Sequence, residues 1–426
     1  MNVLMVTNTF TPHVGGVARS VESFTAQLRR LGHRVLVAAP SFDAMPESEL
    51  DVIRLPALRN FSGSDFSLPL PVAGKLRRKL EEFRPDLVHS HHPFLLGDTA
   101  LRIGAAHDVP IVFTYHTMYE RYTHYLPGDS PGIQRFAVDL ATGYCNLCDA
   151  VIAPSESVAR ILAERGVRVP VEVIPTGVEI ERFATGDGPA FRAAHGIPAD
   201  ACVVGHVGRL AAEKNLAFLA RALAAFAASH SGVRILIVGD GPSRDVLRET
   251  FERAKLGARL HLVGVLQGDA LAGAYRAMDA FAFASHSETQ GMVLTEAMAA
   301  GVPVVALDAP GAREVVRDRR NGRLLMREDV GEFCGALDWV CSLDAKRRRL
   351  LESEIAASAR RFSMASSAKR TLALYEKLLD ARSVARPRAR GGAWQRSRRR
   401  TAQEWRLLAQ HARAARHAWI DRAPPV

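Results

Sequence analysis

Seven residues separate Glu288 from Glu296 in the segment Ser287-Glu288-Thr289-Gln290-Gly291-Met292-Val293-Leu294-Thr295-Glu296. An apolar run stops at Ala284 just before it, and a helical pattern begins at Met292. That order predicts Glu288 in a loop at the mouth of a crevice and Glu296 about one turn into the helix, on the crevice side. One carboxylate can accept hydrogen bonds from sugar hydroxyls and the other from a ribose diol. Between them Gln290, Gly291, Met292 and Val293 open the helix, where the positive end of the backbone dipole favours an anion.

Four further groups stand where chemistry is possible. Arg209 and Lys214 follow the apolar run 203–207. A planar guanidinium fork and an ammonium point charge suit a diphosphate leaving group, and two solvated charges are the plain alternative. His116 stands just past the run 111–115. It can hydrogen-bond a sugar or position an acceptor, and a purely structural histidine reads equally well. Gly15 and Gly16 precede a helical pattern and would leave backbone N–H groups open to a phosphate, although they lack the G-x-G-x-x-G spacing and a plain loop is the rival. His89, His91 and His92 invite a metal reading. Alternation sets His89 and His91 on one face, but no acidic ligands stand nearby, so a loop-lining role is preferred. No Asp-x-Asp occurs to hold a diphosphate through a divalent ion. The expectation is no metal and no cofactor, with Arg209 and Lys214 doing that work.

The elements that must position these groups alternate. Apolar runs at 3–6, 35–39, 87–89, 111–115 and 150–153 read as buried strands, and 17–31 has helical spacing through Val17, Val21, Phe24 and Leu28 with a stop at Gly32. The second half repeats the rhythm, with strands at 203–207, 234–238, 260–263, 280–284 and 303–307 and helices at 216–229, 269–278 and 292–300. Gly239-Asp240-Gly241-Pro242 closes the 234–238 strand as a strong turn. The fold class is therefore α/β, with two doubly wound parallel sheets that take ligands beyond the carboxyl ends of their strands. Pro175 and Gly177 mark the crossing between domains, and beyond about residue 345 the pattern is helical, through 356–362 and 366–379.

With 426 residues, 48% hydrophobic and 24% charged, the chain is an ordinary globular protein of two-domain size. It has no apolar stretch of membrane-spanning length, and its first residues read as a buried strand rather than a signal peptide. Five cysteines, an odd number, fit a reducing cytoplasm. Cys145 and Cys148 lack a second ligand pair for zinc and read as small apolar residues on a helix. Residues 384–426 hold eleven arginines against Glu404 and Asp421, a surplus of nine out of the chain's net +11, so the body is nearly neutral. Trp394, Trp405 and Trp419 also fall there, and Trp405, Leu408, Ala412, Ala415 and Trp419 share one helical face. A basic aromatic helix can lie on an anionic membrane; nucleic-acid contact and simple disorder are the rival readings, and no nucleic-acid module accompanies the tail.

Taken together these segments resemble the retaining glycosyltransferases of family four over about residues 1–382. The specific part is the Glu288/Glu296 signature with Gly239-Asp240-Gly241-Pro242, Gly208-Arg209, Lys214 and Ile174-Pro175-Thr176-Gly177-Val178. The resemblance implies the GT-B fold, two Rossmann-like doubly wound domains facing across a cleft, with a C-terminal helix crossing back. It implies an acceptor domain at 1–174, a nucleotide-sugar domain at 175–360, the crossing helix at 361–382 and a basic tail at 383–426. It also implies that Glu288 contacts the donor sugar, Glu296 the ribose, Arg209 and Lys214 the diphosphate, and Gly16 a phosphate through its backbone. A narrower likeness rests on His116-Thr117-Met118-Tyr119-Glu120 with Tyr122 and His124-Tyr125, and on Glu288-Thr289-Gln290-Gly291. These resemble bacterial glucosyltransferases acting on diacylglycerol, which bind membranes at their N-terminal domain, where Lys75, Arg77, Arg78 and Lys79 form a basic cluster. The implied activity is hexose transfer, UDP-glucose to a lipid such as diacylglycerol, at the inner face of the cell membrane. Alternatives are GDP-mannose or another nucleotide sugar with phosphatidylinositol, a polysaccharide or a small metabolite as acceptor. A sugar-nucleotide epimerase is disfavoured by the paired glutamates, and a non-catalytic nucleotide-sugar-binding membrane scaffold is the reading from another class.

Overall fold

The computed structural model describes all residues except 43–44, 46–48, 59–67, 70–72, 122, 124–129, 287, 386–392 and 420–426. Tyr122, His124, Tyr125, Ser287 and the tail arginines 386, 388, 390 and 422 thus lie outside the described residues. The chain forms two compact units: Met1–Pro175 with Ser367–Val426, and Thr176–Ser366.

In the first unit, seven parallel strands lie in the order β3-β2-β1-β6-β7-β8-β9. They are β1 (Asn2–Val6), β2 (Arg34–Pro40), β3 (Val52–Leu55), β6 (Leu87–Ser90), β7 (Ile111–Thr114), β8 (Ala150–Ala153) and β9 (Val171–Val173). A separate two-stranded ladder pairs β4 (Ala57–Leu58) with β5 (Leu68–Pro69). The linking helices are α1 (Gly16–Arg30), α2 (Ala73–Phe83), α3 (Leu96–His107), α4 (Pro131–Cys145) and α5 (Glu156–Glu164). The central strands are buried on both faces, so each reads as an unbroken apolar run rather than an alternation. The α1 helix stops where predicted: Gly32 takes a positive φ of 83°, and the His33 N–H closes back onto the Leu28 carbonyl. Cys145 and Cys148 are buried free thiols at the end of α4, packed as small apolar groups.

The second unit starts with two short helices, α6 (Ile180–Ala184) and α7 (Gly188–Ala194). Its six strands lie in the order β12-β11-β10-β13-β14-β15, all parallel. They are β10 (Cys202–Val207), β11 (Val233–Val238), β12 (Leu260–Leu262), β13 (Ala280–Phe283), β14 (Val304–Leu307) and β15 (Gly322–Leu325). Packed around them are α8 (Leu216–Ser229), α9 (Arg244–Arg253), α10 (Gly268–Arg276), α11 (Met292–Ala299), α12 (Ala312–Val315), α13 (Val330–Cys341) and α14 (Ala345–Arg361). Two apolar clusters fill the layers on either side of the sheet, one around Tyr275, Phe281 and Phe283, the other around Phe218, Phe226 and Phe333.

The chain then returns. Helix α15 (Met364–Ala385) begins in the second unit and continues in the first, where Tyr375 is fully buried and its hydroxyl meets His89 Nδ1 at 2.6 Å. Helix α16 (Ala393–Trp419) packs on α3 and α4. Disorder, one of the sequence readings for the tail, therefore does not hold for 393–419. No helix among the described residues is long and apolar enough to cross a membrane.

Candidate functional site

Both sheets change winding direction at one point, between β1 and β6 in the first unit and between β10 and β13 in the second. Loops beyond the carboxyl ends of such strand pairs splay apart and leave room for a ligand. The sequence-predicted groups collect at these two places.

In the second unit, β10 runs into Gly208-Arg209, and a short turn ending at Lys214 leads to α8. The turn after β11 holds this loop: Leu210 N–H donates to the Asp240 carbonyl at 2.9 Å, and Gly208 N–H to Val238 at 3.0 Å. A Cβ on Gly239 would stand 1.9 Å from the Gly208 carbonyl oxygen, so the contact demands glycine there. The loop after β13 brings Glu288 to the same place. Lys214 Nζ donates to Glu288 Oε1, and their side chains are only 15% and 17% exposed. Arg209 pairs with Glu213, itself nearly buried, while the Arg209 side chain stays 44% exposed and reachable. Each cation is thus held by an acid, a pairing that offsets the cost of desolvating it and keeps both near the strand ends.

Helix α11 opens on Gly291, at φ 71°, which offers no side chain to cap the first turn. The N–H groups around Met292 and Val293 head the helix close after Glu288, the arrangement expected for meeting an anion. Two of the expected side chains are engaged within the unit. The Gln290 side chain is occupied: its Oε1 accepts from Thr176 N–H and its Nε2 donates to the Thr176 carbonyl at 2.7 Å. It fastens the loop to the entry of the unit rather than offering its amide to a nucleotide. Glu296 does not line an open surface; it is 2% exposed, and Tyr275 OH donates to its Oε2 at 2.7 Å.

One group escaped the sequence reading. His206 lies inside β10, where its Nδ1–H donates to the Ala282 carbonyl at 3.0 Å. Its Nε2 is buried without a hydrogen-bond partner among the described residues. Burial, and to a lesser degree the neighbouring Lys214, pulls its pKa down to about 4, so the ring is neutral behind the Lys214–Glu288 pair. The sequence signal was an imidazole inside an otherwise apolar run. At the same edge Asn215 Nδ2 lies 2.9 Å from His286 Nε2 and 3.0 Å from Glu328 Oε1.

In the first unit, Gly15 and Gly16 form the start of α1, again with no capping side chain. Among the described residues a Cβ placed on Gly16 would meet nothing within 4 Å, while one on Gly15 would stand 3.1 Å from His13 Nε2, so the helix end is open at Gly16 and flanked by His13. His116 Nε2 faces His91 Nδ1 at 2.9 Å, and burial pulls its pKa down to about 4. His89 lies inside β6, and His91 and His92 follow it in the loop to α3; all three are buried. His89 joins Tyr375 to Thr114 Oγ1, 2.7 Å from its Nε2, and His92 Nδ1 accepts from Asn8 N–H at 3.1 Å. Burial brings both to a pKa of about 3. No three metal-ligating side chains come together among the described residues. On α2, Arg77 pairs with Glu81 and Lys79 with Glu82, all exposed, so two of the four basic residues there are met by acids.

His116 and the glycine pair thus belong to the first unit, and Arg209, Lys214, Glu288, Gly291, Met292, Val293 and Glu296 to the second. Residues 14–182 match the family model described as Glycosyltransferase Family 4, and residues 187–355 the model described as Glycosyl transferases group 1. An alpha-monoglucosyldiacylglycerol synthase of Streptococcus pneumoniae is 28% identical over 346 residues, 79% of this chain and 77% of its own. A GDP-mannose-dependent alpha-mannosyltransferase of Mycolicibacterium smegmatis is 36% identical over 363 residues, 82% of this chain and 90% of its own. Among solved structures, Anabaena Alr3699/HepE in complex with UDP has a TM-score of 0.70 at 23% identity, covering 88% of this chain and all of that one.

Proposed function

The chain belongs to glycosyltransferase family 4, and from that premise we propose that it moves glucose from UDP-glucose to a membrane lipid of the diacylglycerol class, without a metal ion and with retention of configuration. The observation that carries this reading is the Lys214–Glu288 pair beside Arg209, at the winding reversal of the second sheet and next to the uncapped start of α11. Arg209, Lys214 and the α11 N–H groups supply positive potential where a diphosphate departs. Glu288, a carboxylate acceptor, suits sugar hydroxyls once the Lys214 ammonium turns to phosphate. Glu296 sits one turn deeper, where it serves the ribose after exchanging its bond with Tyr275. The bond from the anomeric carbon to phosphate oxygen breaks, a bond to the acceptor oxygen forms on the same face, and the acceptor proton goes to the leaving phosphate. His116, neutral near pH 7, is suited to hydrogen-bonding an uncharged hydroxyl on the acceptor side.

The lipid acceptor draws on the likeness to the monoglucosyldiacylglycerol synthase and on the His116-Thr117-Met118-Tyr119-Glu120 segment. A second reading, GDP-mannose as donor, draws on the higher identity to the mannosyltransferase. The deciding experiment measures nucleoside diphosphate release from a panel of UDP- and GDP-sugars, with vesicles containing diacylglycerol and an anionic lipid. Release from UDP-glucose that needs diacylglycerol supports the first reading. Release from GDP-mannose replaces it with the second, and release that ignores diacylglycerol removes that lipid as acceptor.

A further inference from the structure

Helix α16 has two faces of opposite character. Gln403, Leu407, Ala414 and Ala418 are buried against α3 and α4. Polar fastenings run along that seam: Arg102 grips Glu404 at 2.7 and 3.1 Å, Arg399 meets Asp108 at 2.9 Å, and Gln410 Nε2 donates to the Leu140 carbonyl at 2.7 Å. The approach is close, because a Cβ on Gly143 of α4 would come within 2.5 Å of Gln410. The helix is therefore a fixed layer of the first unit.

Its outer face carries Trp394, Trp405, Leu408 and Trp419, which are 69%, 68%, 59% and 62% exposed. Their spacings of eleven, three and eleven residues amount to three turns, one turn and three turns, so the four side chains form a single row about 37 Å long. This is the face the sequence picked out through Trp405, Leu408, Ala412, Ala415 and Trp419; burial shows that its large side chains stay mostly exposed, with one edge of the Trp419 ring against Phe136 at 5.5 Å between centroids, while the opposite face does the docking. Arg398, Arg406 and Arg413 are exposed along the flank of the row, and the Arg398 guanidinium stands 4.7 Å over the Trp394 ring. The one acid on the helix, Glu404, is engaged by Arg102.

Three exposed indoles in line with a leucine are costly in water and well suited to the headgroup–acyl boundary, where a ring is half wet and half apolar. Arginines beside them reach lipid phosphates while their stems stay on the apolar side. The row is a convex ridge, whereas single-stranded nucleic acid is held in a groove, and this favours a bilayer. We propose that the outer face of α16 is a docking surface for an anionic phospholipid membrane, with the tryptophan row at the interface and the arginine flank on phosphate. The proposal rests on the lipid-acceptor reading for its purpose, and it assigns the contact to the C-terminal helix rather than to α2.

The test uses the full chain and vesicles of phosphatidylglycerol and phosphatidylcholine, read by co-sedimentation with neither sugar donor nor diacylglycerol present. The wild type is expected to bind the mixed vesicles and to release them as salt rises. The Trp394→Ala, Trp405→Ala, Trp419→Ala variant should bind at least about tenfold more weakly, and Arg398→Gln with Arg406→Gln and Arg413→Gln about a hundredfold more weakly. Melting temperature checks folding, which these exposed positions should leave unchanged. Unaltered vesicle binding by the folded tryptophan variant overturns the proposal. So does tighter binding to a DNA oligonucleotide than to vesicles that the same variant abolishes. Because binding is read apart from sugar transfer, failure of the diacylglycerol reaction with vesicle binding intact would remove the acceptor reading alone.

Discussion

Where the strands of the first unit end, around β1 and β6, the histidines are bonded to neutral partners: Tyr375 to His89 to Thr114, His91 to His116, His92 to the Asn8 backbone. Where the strands of the second unit end, around β10 and β13, the groups are charged and paired acid to base: Arg209 with Glu213, Lys214 with Glu288. The two sheets share a winding and a reversal point, so the frame does not dictate the difference. It follows from what the loops bring in. A site for a leaving diphosphate needs cations that acids hold in readiness. A site for an uncharged hydroxyl is better built from neutral donors and acceptors, since a charge there would have to be desolvated without a partner.

Three measurements would break or sharpen that contrast. The largest effect is expected from Glu288→Gln, which keeps the shape and a hydrogen bond to Lys214 but removes the charge; turnover should fall by about a hundred- to a thousandfold, with the chain still folded at a lowered melting temperature because the largely buried Lys214 ammonium loses its counter-charge. Near-normal turnover would sink the role of Glu288 and with it the contrast. Next comes acidification. His89 and His92 have folded pKa values of about 3 because burial disfavours their charged forms, against an ordinary value of about 6.5 in the unfolded chain. Below about pH 6.5 the unfolded chain therefore takes up protons that the folded chain refuses, and stability falls as pH falls. Between pH 7 and pH 5 the loss should be about 2 kcal/mol per histidine, read as a lower melting temperature of the first unit. A melting curve indifferent to pH over that range would mean that these rings are not held neutral. The smallest effect is expected from Arg209→Ala. Its side chain is well exposed, so nucleoside diphosphate should bind about tenfold more weakly by calorimetry, with no change in the pH profile of the first unit. Equal affinity would move diphosphate recognition onto Lys214 and the α11 N–H groups alone.

Much of this was legible in the sequence, because buried parallel strands are unbroken apolar runs and the helices between them keep their spacing. The helix predicted at 216–229 is α8, Leu216–Ser229. The outer strands β3, β9 and β15 were not legible; they are three or four residues long and only partly buried, so no strong pattern marks them. At the site, local order placed Glu288 and Gly291 well, since both follow from a strand end and a helix start. It failed for Gln290, whose amide is taken by a peptide 114 residues away in the chain. It did not show that Glu296 would be buried with its carboxylate on Tyr275 from another helix. His206 was hidden because an imidazole in an apolar run looks like any strand residue until its neighbours are known. In the tail, large aromatics drew attention to the outer face of α16, while the docking face is made of alanines, one leucine and glutamines that no hydrophobic count would select.

The bond between His89 and Tyr375 joins residues 286 positions apart, with the whole second unit in between. On a ribosome adding roughly 5–20 residues each second, the partner of His89 emerges about 15–60 s after His89 itself. The first unit must wait through that interval without the Tyr375 hydroxyl on His89 and without α16 over α3 and α4, while the second unit, continuous in the chain, is free to fold as soon as it is made. The first part synthesised is thus the last part finished.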